Sequence, residues 1–372
     1  MNRRRTLAVV LMIAGSAVMF FAILRATTPP PSVAKFSEPL VPTAAPRAIA
    51  VPRATAIAQT ARYQDTLWRG KARWGIGVAI GPATRYDLAA FAFGWHLDWS
   101  AHRAPAQLAN AEFAQMVRVR DNALTPAREM IVAIARAHPG SLWLIGNEPD
   151  VKWQDNVEPA SYARLYNAAY VAIKSADPTA RIAIGGITQP SPLRLRYLDR
   201  VLADYQTQFG AAMPIDVWNI HNFILREERN SWGVEIPPGF SDAQGILYEV
   251  EDSANLDAFR AQIIAFRKWM AERGFQNREL IVSEYGIPMP EDYGFPPARV
   301  LDFLTGTFDF FFTATDPALG YPADDFKLVQ RWCWYSLDDT MYPTGRLFDP
   351  QTGNISEFGI GLQNFIARWV NK

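Results

Sequence analysis

The chain has 372 residues, of which 49% are hydrophobic, so it can bury a large core. Its 37 basic and 37 acidic residues balance, which argues against a nucleic-acid partner because phosphate binding requires a basic excess. The lone Cys333 excludes an intramolecular disulfide, and none of the four His residues forms a pair with metal-ligand spacing, so we expect neither a zinc site nor any other cofactor.

The N-terminal segment predicts a helix in a membrane. Three arginines in "MNRRR" precede nineteen uncharged residues, 6–24, which suffice to span a bilayer and favour a cytoplasmic N-terminus. No small-x-small cleavage site follows, so residues 1–25 are predicted to be an uncleaved single-pass anchor in the cell membrane. A cleaved signal peptide, and hence a secreted protein, is the alternative. Either interpretation places the remainder of the chain outside the cytoplasm.

Residues 26–62 are rich in Pro, Ala and Thr and lack a sustained apolar period. This composition predicts an extended linker, with a reach of up to roughly 100 Å at about 3 Å per residue. The linker would separate the membrane from a folded domain at residues 63–372.

Within that domain, short apolar runs alternate with amphipathic stretches, which predicts parallel strands joined by helices. The predicted strands are 74–80, 91–99, 112–119, 142–148, 181–187, 215–223, 280–286 and 328–336. Eight strands are the number that a closed (β/α)₈ barrel needs. The fold class is therefore predicted to be α/β, with a (β/α)₈ barrel.

Helical periodicity is clear in residues 158–178 and 256–274, whereas the connections after the first two strands are short or irregular. The segment 224–255, after the sixth strand, is too long for a simple connection and is predicted to form a rim on the C-terminal face of the barrel. Trp232 in this segment either stacks on a sugar or anchors the loop.

Two carboxylates follow apolar runs at predicted strand ends. "GNEP" places Glu148 at the end of the fourth strand, and "SEYG" places Glu284 at the end of the seventh. Catalytic groups of such barrels come from the C-terminal strand ends, and glycoside hydrolysis requires two carboxyl groups. Either residue alone could be a structural carboxylate. Their joint occurrence on two strands of one barrel favours an active site.

These two motifs resemble the acid/base and nucleophile signatures of clan A glycoside hydrolases, which are retaining (β/α)₈ enzymes. The resemblance covers residues 74–370, and the wording of the fourth strand is similar to that of families 39 and 128. It implies a hydrolase that cleaves O-glycosidic bonds of a polysaccharide or oligosaccharide by double displacement, and it favours β-linkages. Glu148 would be the general acid/base, Glu284 the nucleophile, and Asn147 a ligand of the sugar 2-hydroxyl.

The resemblance also implies substrate-binding residues around this pair. His221, at the end of the sixth strand, would lie near the nucleophile, and Trp334, rather than Trp332, would form the floor of the cleavage subsite. An early arginine would pair with the nucleophile, and the sequence does not choose between Arg118 and Arg120. Tyr285, directly after Glu284, is also assigned to substrate binding.

The chemistry sets requirements for the pair. The acid needs an apolar or carboxylate-crowded setting to keep its proton, whereas the nucleophile needs hydrogen bonds and a cation to stay charged. Retention further requires the two carboxyl groups to lie about 5 Å apart.

Other polar residues have weaker assignments. The second strand ends in His96, Asp98 and Trp99, which could bind sugar hydroxyls or form a buried His–Asp pair. Asp338 and Asp339 are predicted to cap the next helix rather than line a subsite, and Asp324 and Asp325 to lie in a solvated loop. Two functions compete with hydrolysis: a non-catalytic carbohydrate-binding barrel, and a transglycosylase with the same carboxylate pair. The sequence indicates no protein partner.

Overall fold

The computed structural model describes residues 70–108 and 111–370. The predicted anchor, 1–25, and the predicted linker, 26–62, lie outside these residues. Across the described ranges, no helix combines the length and the apolar character that crossing a membrane would require.

The nine strands of the described residues form one parallel sheet. They are β1 (Trp74–Gly77), β2 (Trp95–Leu97), β3 (Glu112–Phe113), β4 (Gln115–Val117), β5 (Leu142–Asn147), β6 (Arg181–Gly186), β7 (Val217–His221), β8 (Glu279–Tyr285) and β9 (Arg331–Trp334). Their order is β3-β2-β1-β9-β8-β7-β6-β5-β4. Only Ala114 separates β3 from β4 in the chain, so the two ends of the sheet meet in a nearly closed barrel.

Every predicted strand overlaps an observed one, although β8 begins one residue before its predicted range, and the third predicted strand is divided at Ala114 into β3 and β4. Most observed strands are shorter than predicted. The second shows the largest difference: a 3₁₀ turn, Ala89–Phe91, occupies the start of the predicted range. The architecture is consistent with the expected (β/α)₈ barrel.

Six long helices of the described chain follow the later strands. They are α1 (Arg128–Ala137), α2 (Pro159–Ala176), α3 (Pro192–Phe209), α4 (Leu256–Glu272), α5 (Pro297–Thr313) and α6 (Glu357–Val370). The two segments with helical periodicity, 158–178 and 256–274, thus correspond to α2 and α4. The α4 helix starts where Asn255 accepts hydrogen bonds from two backbone amides, and Gly274 follows its end with a positive φ of 76°.

The core has two layers that follow the period of two along each strand. On β5, Leu142 and Leu144 point into the barrel, whereas Trp143 and Ile145 pack outward against the helices. The interior layer also contains Trp95, Met116 and Cys333, among others. This alternation decides which residues just beyond the strand ends face the barrel axis.

Two predicted roles for acidic residues outside the site are wrong. Asp324 is buried and forms an ion pair with Arg73, so it is not a residue of a solvated loop, whereas Asp325 is exposed. Asp338 caps no following helix; it accepts hydrogen bonds from the backbone amides of residues 79, 80 and 81 and from the Tyr86 hydroxyl. This fully buried carboxylate holds the loop after β1 against the loop after β9.

Candidate active site

A cavity of about 280 Å³ opens at the C-terminal ends of the strands. Polar residues from several strand ends line it together with aromatic and apolar residues of the surrounding loops. The lining comprises Ala79, Asp98, Trp99, Ser100, Arg118, Asn147, Glu148, Gln154, Thr188, Phe223, Leu225, Trp232, Gly233, Val234, Glu284, Pro288, Met289, Pro290, Tyr335 and Tyr342. The cavity lies where the C-terminal strand ends of a barrel are expected to hold the chemistry.

Glu148 points into the cavity from the end of β5. It has the same parity as Leu142 and Leu144, and its φ of 43° places the backbone in the left-handed region. Its Oε1 accepts hydrogen bonds from Thr188 Oγ1 at 2.6 Å and from His221 Nδ1 at 2.9 Å. A buried strand therefore ends in a carboxylate that the neighbouring strands hold in place.

Glu284 enters the cavity through an irregularity in β8. The pairing of β8 with β9 shifts register between Val282 and Tyr285, which changes the side of the sheet on which the following side chains lie. Glu284 Oε1 accepts a hydrogen bond from the Trp99 indole at 2.5 Å. His221 Nε2 lies 3.1 Å from the same oxygen, at an angle that does not make a hydrogen bond.

His221, the last residue of β7, therefore lies between the two carboxylates. Its ring is fully buried, with Nδ1 toward Glu148 and Nε2 toward Glu284. Its pairing with Glu284 across β7 and β8 fixes this placement.

Burial and charge separate the protonation states of the three groups. Burial would raise the pKa of Glu148, but the hydrogen bonds from His221 and Thr188 outweigh burial and lower it. Burial raises the pKa of Glu284 to about 7, which the charge on His221 opposes and the charge on Glu148 supports. Burial would lower the pKa of His221, yet the two carboxylates beside it raise it.

This order is opposite to the one expected for the assigned roles. Glu148 is the carboxyl group that ionises first, and the pKa of Glu284 is about 7. The reason is that Glu148 accepts two hydrogen bonds, whereas burial dominates at Glu284 and the charges of His221 and Arg118 lower its pKa only in part. Arg118 lines the cavity, but its ion-pair partner is Asp155, with Nε 2.7 Å from Oδ1, and not Glu284.

The structure also distinguishes the two candidate arginines. Arg120 is not among the lining residues; its guanidinium donates to the carbonyl oxygens of Trp153 and Gln154. Asn147 does line the cavity, and its Nδ2 lies 3.4 Å from Gln154 Oε1. The predicted arginine at the site is therefore Arg118.

Two predicted aromatic residues point away from the cavity. Trp334 packs between Tyr285 and Phe358, and its indole donates to the carbonyl oxygen of Gly345. The Tyr285 ring packs against Phe259 and Phe311, outside the barrel. Trp332 packs against Phe311 in the same outer layer.

Tyr335 occupies the position expected for Trp334. It follows Cys333 by two residues, and since Cys333 points into the barrel, parity directs the Tyr335 ring toward the cavity. The assignment therefore failed by one residue. Tyr342 and Phe223 add two further rings to the wall, and Trp232, 7% exposed, joins them from the segment 224–255.

The second strand supplies Trp99 and Asp98 to the cavity but not His96. His96 is buried between Phe93 and Phe113, and Asp98 pairs with His102, so no His96–Asp98 pair forms. Trp99 has the parity of Trp95 and Leu97, and its φ of 59° is left-handed. A side chain on Gly77 would come within 2.9 Å of the Trp99 ring, so Gly77 provides the space that Trp99 occupies.

Trp99→Phe is expected to raise the pKa of Glu284 above its present value of about 7, because the carboxylate loses the indole N–H that lowers it. Titration of ¹³C-labelled glutamate by NMR would follow this carboxyl group. Trp153→Phe, in the loop outside the cavity lining, is the control and should leave it unchanged. An unaltered Glu284 pKa in Trp99→Phe would contradict the hydrogen bond.

Comparison with known proteins gave matches in three-dimensional structure alone. No family model matches the chain, and no curated protein matches its sequence. An endo-β-1,3-glucanase of glycoside hydrolase family 128, subgroup II, from Sorangium cellulosum is similar in structure, with 13% identity, a TM-score of 0.52, and coverage of 78% of this chain and 97% of that one.

Two further enzymes of the same family are similar to a comparable degree. A variant of a subgroup I endo-β-1,3-glucanase from Amycolatopsis mediterranei, in complex with laminarihexaose, has 15% identity, a TM-score of 0.52 and coverage of 79% and 99%. A subgroup III curdlan-specific exo-β-1,3-glucanase from Blastomyces gilchristii, in complex with glucose, has 17% identity, a TM-score of 0.52 and coverage of 79% and 98%. At these identities the likeness shows a shared barrel fold.

Proposed function

We propose that this protein is a glycoside hydrolase that cleaves β-1,3-linked glucans with the carboxyl groups of Glu148 and Glu284. One observation carries the proposal: two buried carboxyl groups from separate strand ends face one cavity and contact the same histidine. Glycoside hydrolysis needs such a pair. The β-1,3-glucan specificity is suggested by the similar structures, one of which holds laminarihexaose.

The wall of the cavity supports a sugar ligand. Trp232, Tyr335 and Tyr342 present aromatic surfaces, and Asn147, Gln154 and Arg118 present polar groups on the β4 and β5 side. Small-molecule sites generally combine apolar faces with a few placed polar groups in this way. A pyranose ring has both kinds of surface.

In the proposed reaction, Glu284 attacks the anomeric carbon while Glu148 donates its proton to the leaving oxygen, which breaks the glycosidic bond. Water then attacks the glycosyl–Glu284 ester, Glu148 accepts the proton of that water, and both side chains return to their initial state. The pair must begin with its proton on Glu148. In this assignment the proton must therefore move from Glu284 to Glu148, and the His221 ring lies between the two, with Nδ1 2.9 Å from Glu148 and Nε2 3.1 Å from Glu284.

The pKa directions favour a second candidate in which the roles are exchanged. The raised pKa of Glu284 and the lowered pKa of Glu148 would suit Glu284 as acid and Glu148 as nucleophile. The motif order supports the first assignment and the order of the two pKa values supports the second. The variants treated in the Discussion distinguish them.

Sugar release is the direct test of the proposed function. The protein would be incubated with laminarin, curdlan, mixed-linkage β-glucan, cellulose, xylan and mannan, and the Glu148→Gln/Glu284→Gln double variant would serve as the blank. We expect release from the β-1,3-glucans, with a first product of retained anomeric configuration by NMR. Binding of one glycan without release would favour a non-catalytic barrel, and products longer than the substrate would favour a transglycosylase.

The pKa of Glu284 leads to a prediction about pH. Below about pH 7 the pair retains the one proton that the leaving oxygen needs, and above it both carboxyl groups are ionised. We expect kcat/KM for laminarin oligosaccharides to fall as pH rises through about 7. Initial rates between pH 4 and 9 would show this descending limb, and a rate still rising at pH 8.5 would contradict the prediction.

A further inference from the structure

On one wall of the cavity, two side chains donate hydrogen bonds to the amide oxygen of a third. Arg118 Nη2 donates to Gln154 Oε1 at 3.2 Å, and Asn147 Nδ2 donates to the same oxygen at 3.4 Å. Gln154 lies in the loop after β5, seven residues beyond Asn147. Sequence patterns gave no sign of it, because a glutamine in a loop has no periodic or motif signal.

Arg118 determines how the side-chain amides of Gln154 and Asn147 are oriented. A guanidinium has only donors, so the atom of Gln154 that faces Arg118 must be its oxygen. The atom of Asn147 that faces this oxygen must then be its NH₂ group. The carbonyl oxygen of the Asn147 amide therefore lies on the opposite side.

The carboxylate of Asp155 holds Arg118 and Asn147 in place. The fully buried side chain of Asp155 accepts hydrogen bonds from Arg118 Nε at 2.7 Å, from Asn147 N at 2.8 Å and from Val119 N at 3.0 Å. The ends of β4 and β5 are thus tied to one carboxylate. Both Arg118 and the Asn147 backbone are fixed relative to each other.

The amide oxygen of Asn147 has no hydrogen-bond partner in the part of the protein that the structure describes. Asn147 is 2% exposed, and its Oδ1 is buried without a hydrogen-bond donor among the described residues, although the residue lines the cavity. A buried acceptor left unpaired destabilises the folded protein. An atom of this kind at a cavity wall indicates that a ligand donates to it.

We propose that Gln154 is a specificity-determining residue, which together with Arg118 holds the Asn147 amide so that its oxygen accepts a hydrogen bond from one sugar hydroxyl. This inference rests on the proposed function and adds to it the polarity of the contact. The ligand must present a hydrogen-bond donor there. A deoxy sugar or a sugar ether at that position lacks the donor and leaves Asn147 Oδ1 unpaired.

The test compares Gln154→Met with the unaltered protein on 4-nitrophenyl β-laminaribioside and on its analogues that lack one hydroxyl each. For the unaltered protein, one analogue is expected to lose about 10- to 100-fold in kcat/KM, since a buried acceptor becomes unpaired. Gln154→Met should lose about tenfold on the parent glycoside. On that one analogue, Gln154→Met and the unaltered protein should turn over at the same rate, because the contact is already absent.

Gln154→Glu is the matched variant, because its carboxylate still accepts from both Arg118 and Asn147. It should recover part of the activity that Gln154→Met loses on the parent glycoside and restore the discrimination among analogues. Equal losses by Gln154→Met on the parent and on every analogue would overturn the proposal and leave Gln154 a structural residue. Full activity of Gln154→Met on the parent would overturn it as well.

A binding measurement separates this inference from the proposed function. Calorimetric titration of the Glu284→Gln protein with the same glycosides needs no turnover, and the same single analogue should bind more weakly. If the unaltered protein binds the parent glycoside but never cleaves it, the proposed hydrolase function is wrong. The titration alone then decides whether the protein prefers the sugar that carries the hydroxyl. Absence of both binding and cleavage would overturn both.

Discussion

Glu284→Gln is expected to lower the rate of β-1,3-glucan cleavage by roughly 10⁴-fold or more, because an amide cannot form the glycosyl ester. Its shape matches that of the glutamate, and its oxygen can still accept from the Trp99 indole. The fold should therefore be unchanged. Initial rates on laminarin and the circular dichroism of the variant would measure the two properties separately.

Glu148→Gln should show a different dependence on the substrate. Loss of a general acid costs about 10²- to 10⁴-fold when the leaving group is a sugar alcohol, and much less when it is dinitrophenolate, which needs no proton. Glu284→Gln should be equally poor with both leaving groups. If the roles are exchanged, as the order of the two pKa values allows, the two patterns should exchange between the variants.

Azide provides an independent assignment. In Glu148→Ala, azide can attack the glycosyl–Glu284 ester in place of water and would give a β-glycosyl azide with retained configuration. In Glu284→Ala, azide would replace the nucleophile itself and give the inverted α-azide. Glu279→Gln, the other glutamate of β8, lies at the opposite end of the strand and is the control expected to keep full activity. Unchanged activity in Glu284→Gln would remove the carboxylate pair from the mechanism.

The sequence predicted the barrel and the placement of the two carboxylates because both depend on local patterns. Apolar runs of four to eight residues between amphipathic stretches define parallel strands, and a carboxylate after such a run lies at the C-terminal rim. Glu148 follows the regular strand β5, and its side chain faces the cavity. The site was thus predictable where strands are regular.

Irregular pairing limited the prediction at β8 and β9. Ile281 points into the barrel, so unbroken alternation would turn Tyr285 inward and Glu284 outward. The register shift between Val282 and Tyr285 reverses this order, and no residue pattern marks that shift. At β9, counting parity from Cys333 would have selected Tyr335 in place of Trp334. The preference for a tryptophan came from the resemblance and outweighed this local signal.

No sequence pattern predicted the polar contacts between residues that are distant in the chain. Arg194 is one of several arginines in the α3 segment, yet it is fully buried and uses its whole guanidinium. Nε donates to Glu227 at 2.7 Å, Nη1 to Asp150, and Nη2 to the carbonyl oxygens of Val234 and Glu235 at 3.1 and 2.9 Å. These contacts join α3, the loop after β5 and the rim segment 224–255.

Arg194→Met is expected to destabilise the fold by about 3–5 kcal/mol, because it leaves the fully buried carboxylates of Asp150 and Glu227 without their cation. The free energy of unfolding would be measured from urea transitions followed by tryptophan fluorescence. Arg196→Met is the matched control on the same helix. Its pair with Asp242 is largely exposed, so the change should stay within about 0.5 kcal/mol.

The loss in free energy of unfolding caused by Arg194→Met should become smaller as pH falls. Burial already raises the pKa of Asp150 in the unaltered protein, where the charge of Arg194 opposes the rise, so loss of that charge should raise the folded-state pKa of Asp150 further above its unfolded value. A carboxyl group whose pKa is raised by folding makes the protein less stable as pH rises and more stable as pH falls. The free energy of unfolding of the variant should therefore approach that of the unaltered protein toward about pH 4–5. A deficit that is the same at pH 5 and pH 8 would assign the effect to lost packing instead of unpaired charge.

The same variant should also affect the active site. Asp150 lies two residues after Glu148, and Val234 and Trp232 line the cavity, so the contacts of Arg194 hold parts of both walls. Under conditions in which Arg194→Met is still folded, we expect a higher KM for laminarin oligosaccharides than in Arg196→Met, because the rim segment is no longer tied to α3. Arg194→Lys retains one charge and should fall between the two in stability, since an ammonium cannot reach all the acceptors that a guanidinium does. An Arg194→Lys protein as stable as the unaltered one would show that charge alone, without the fork geometry, stabilises this junction.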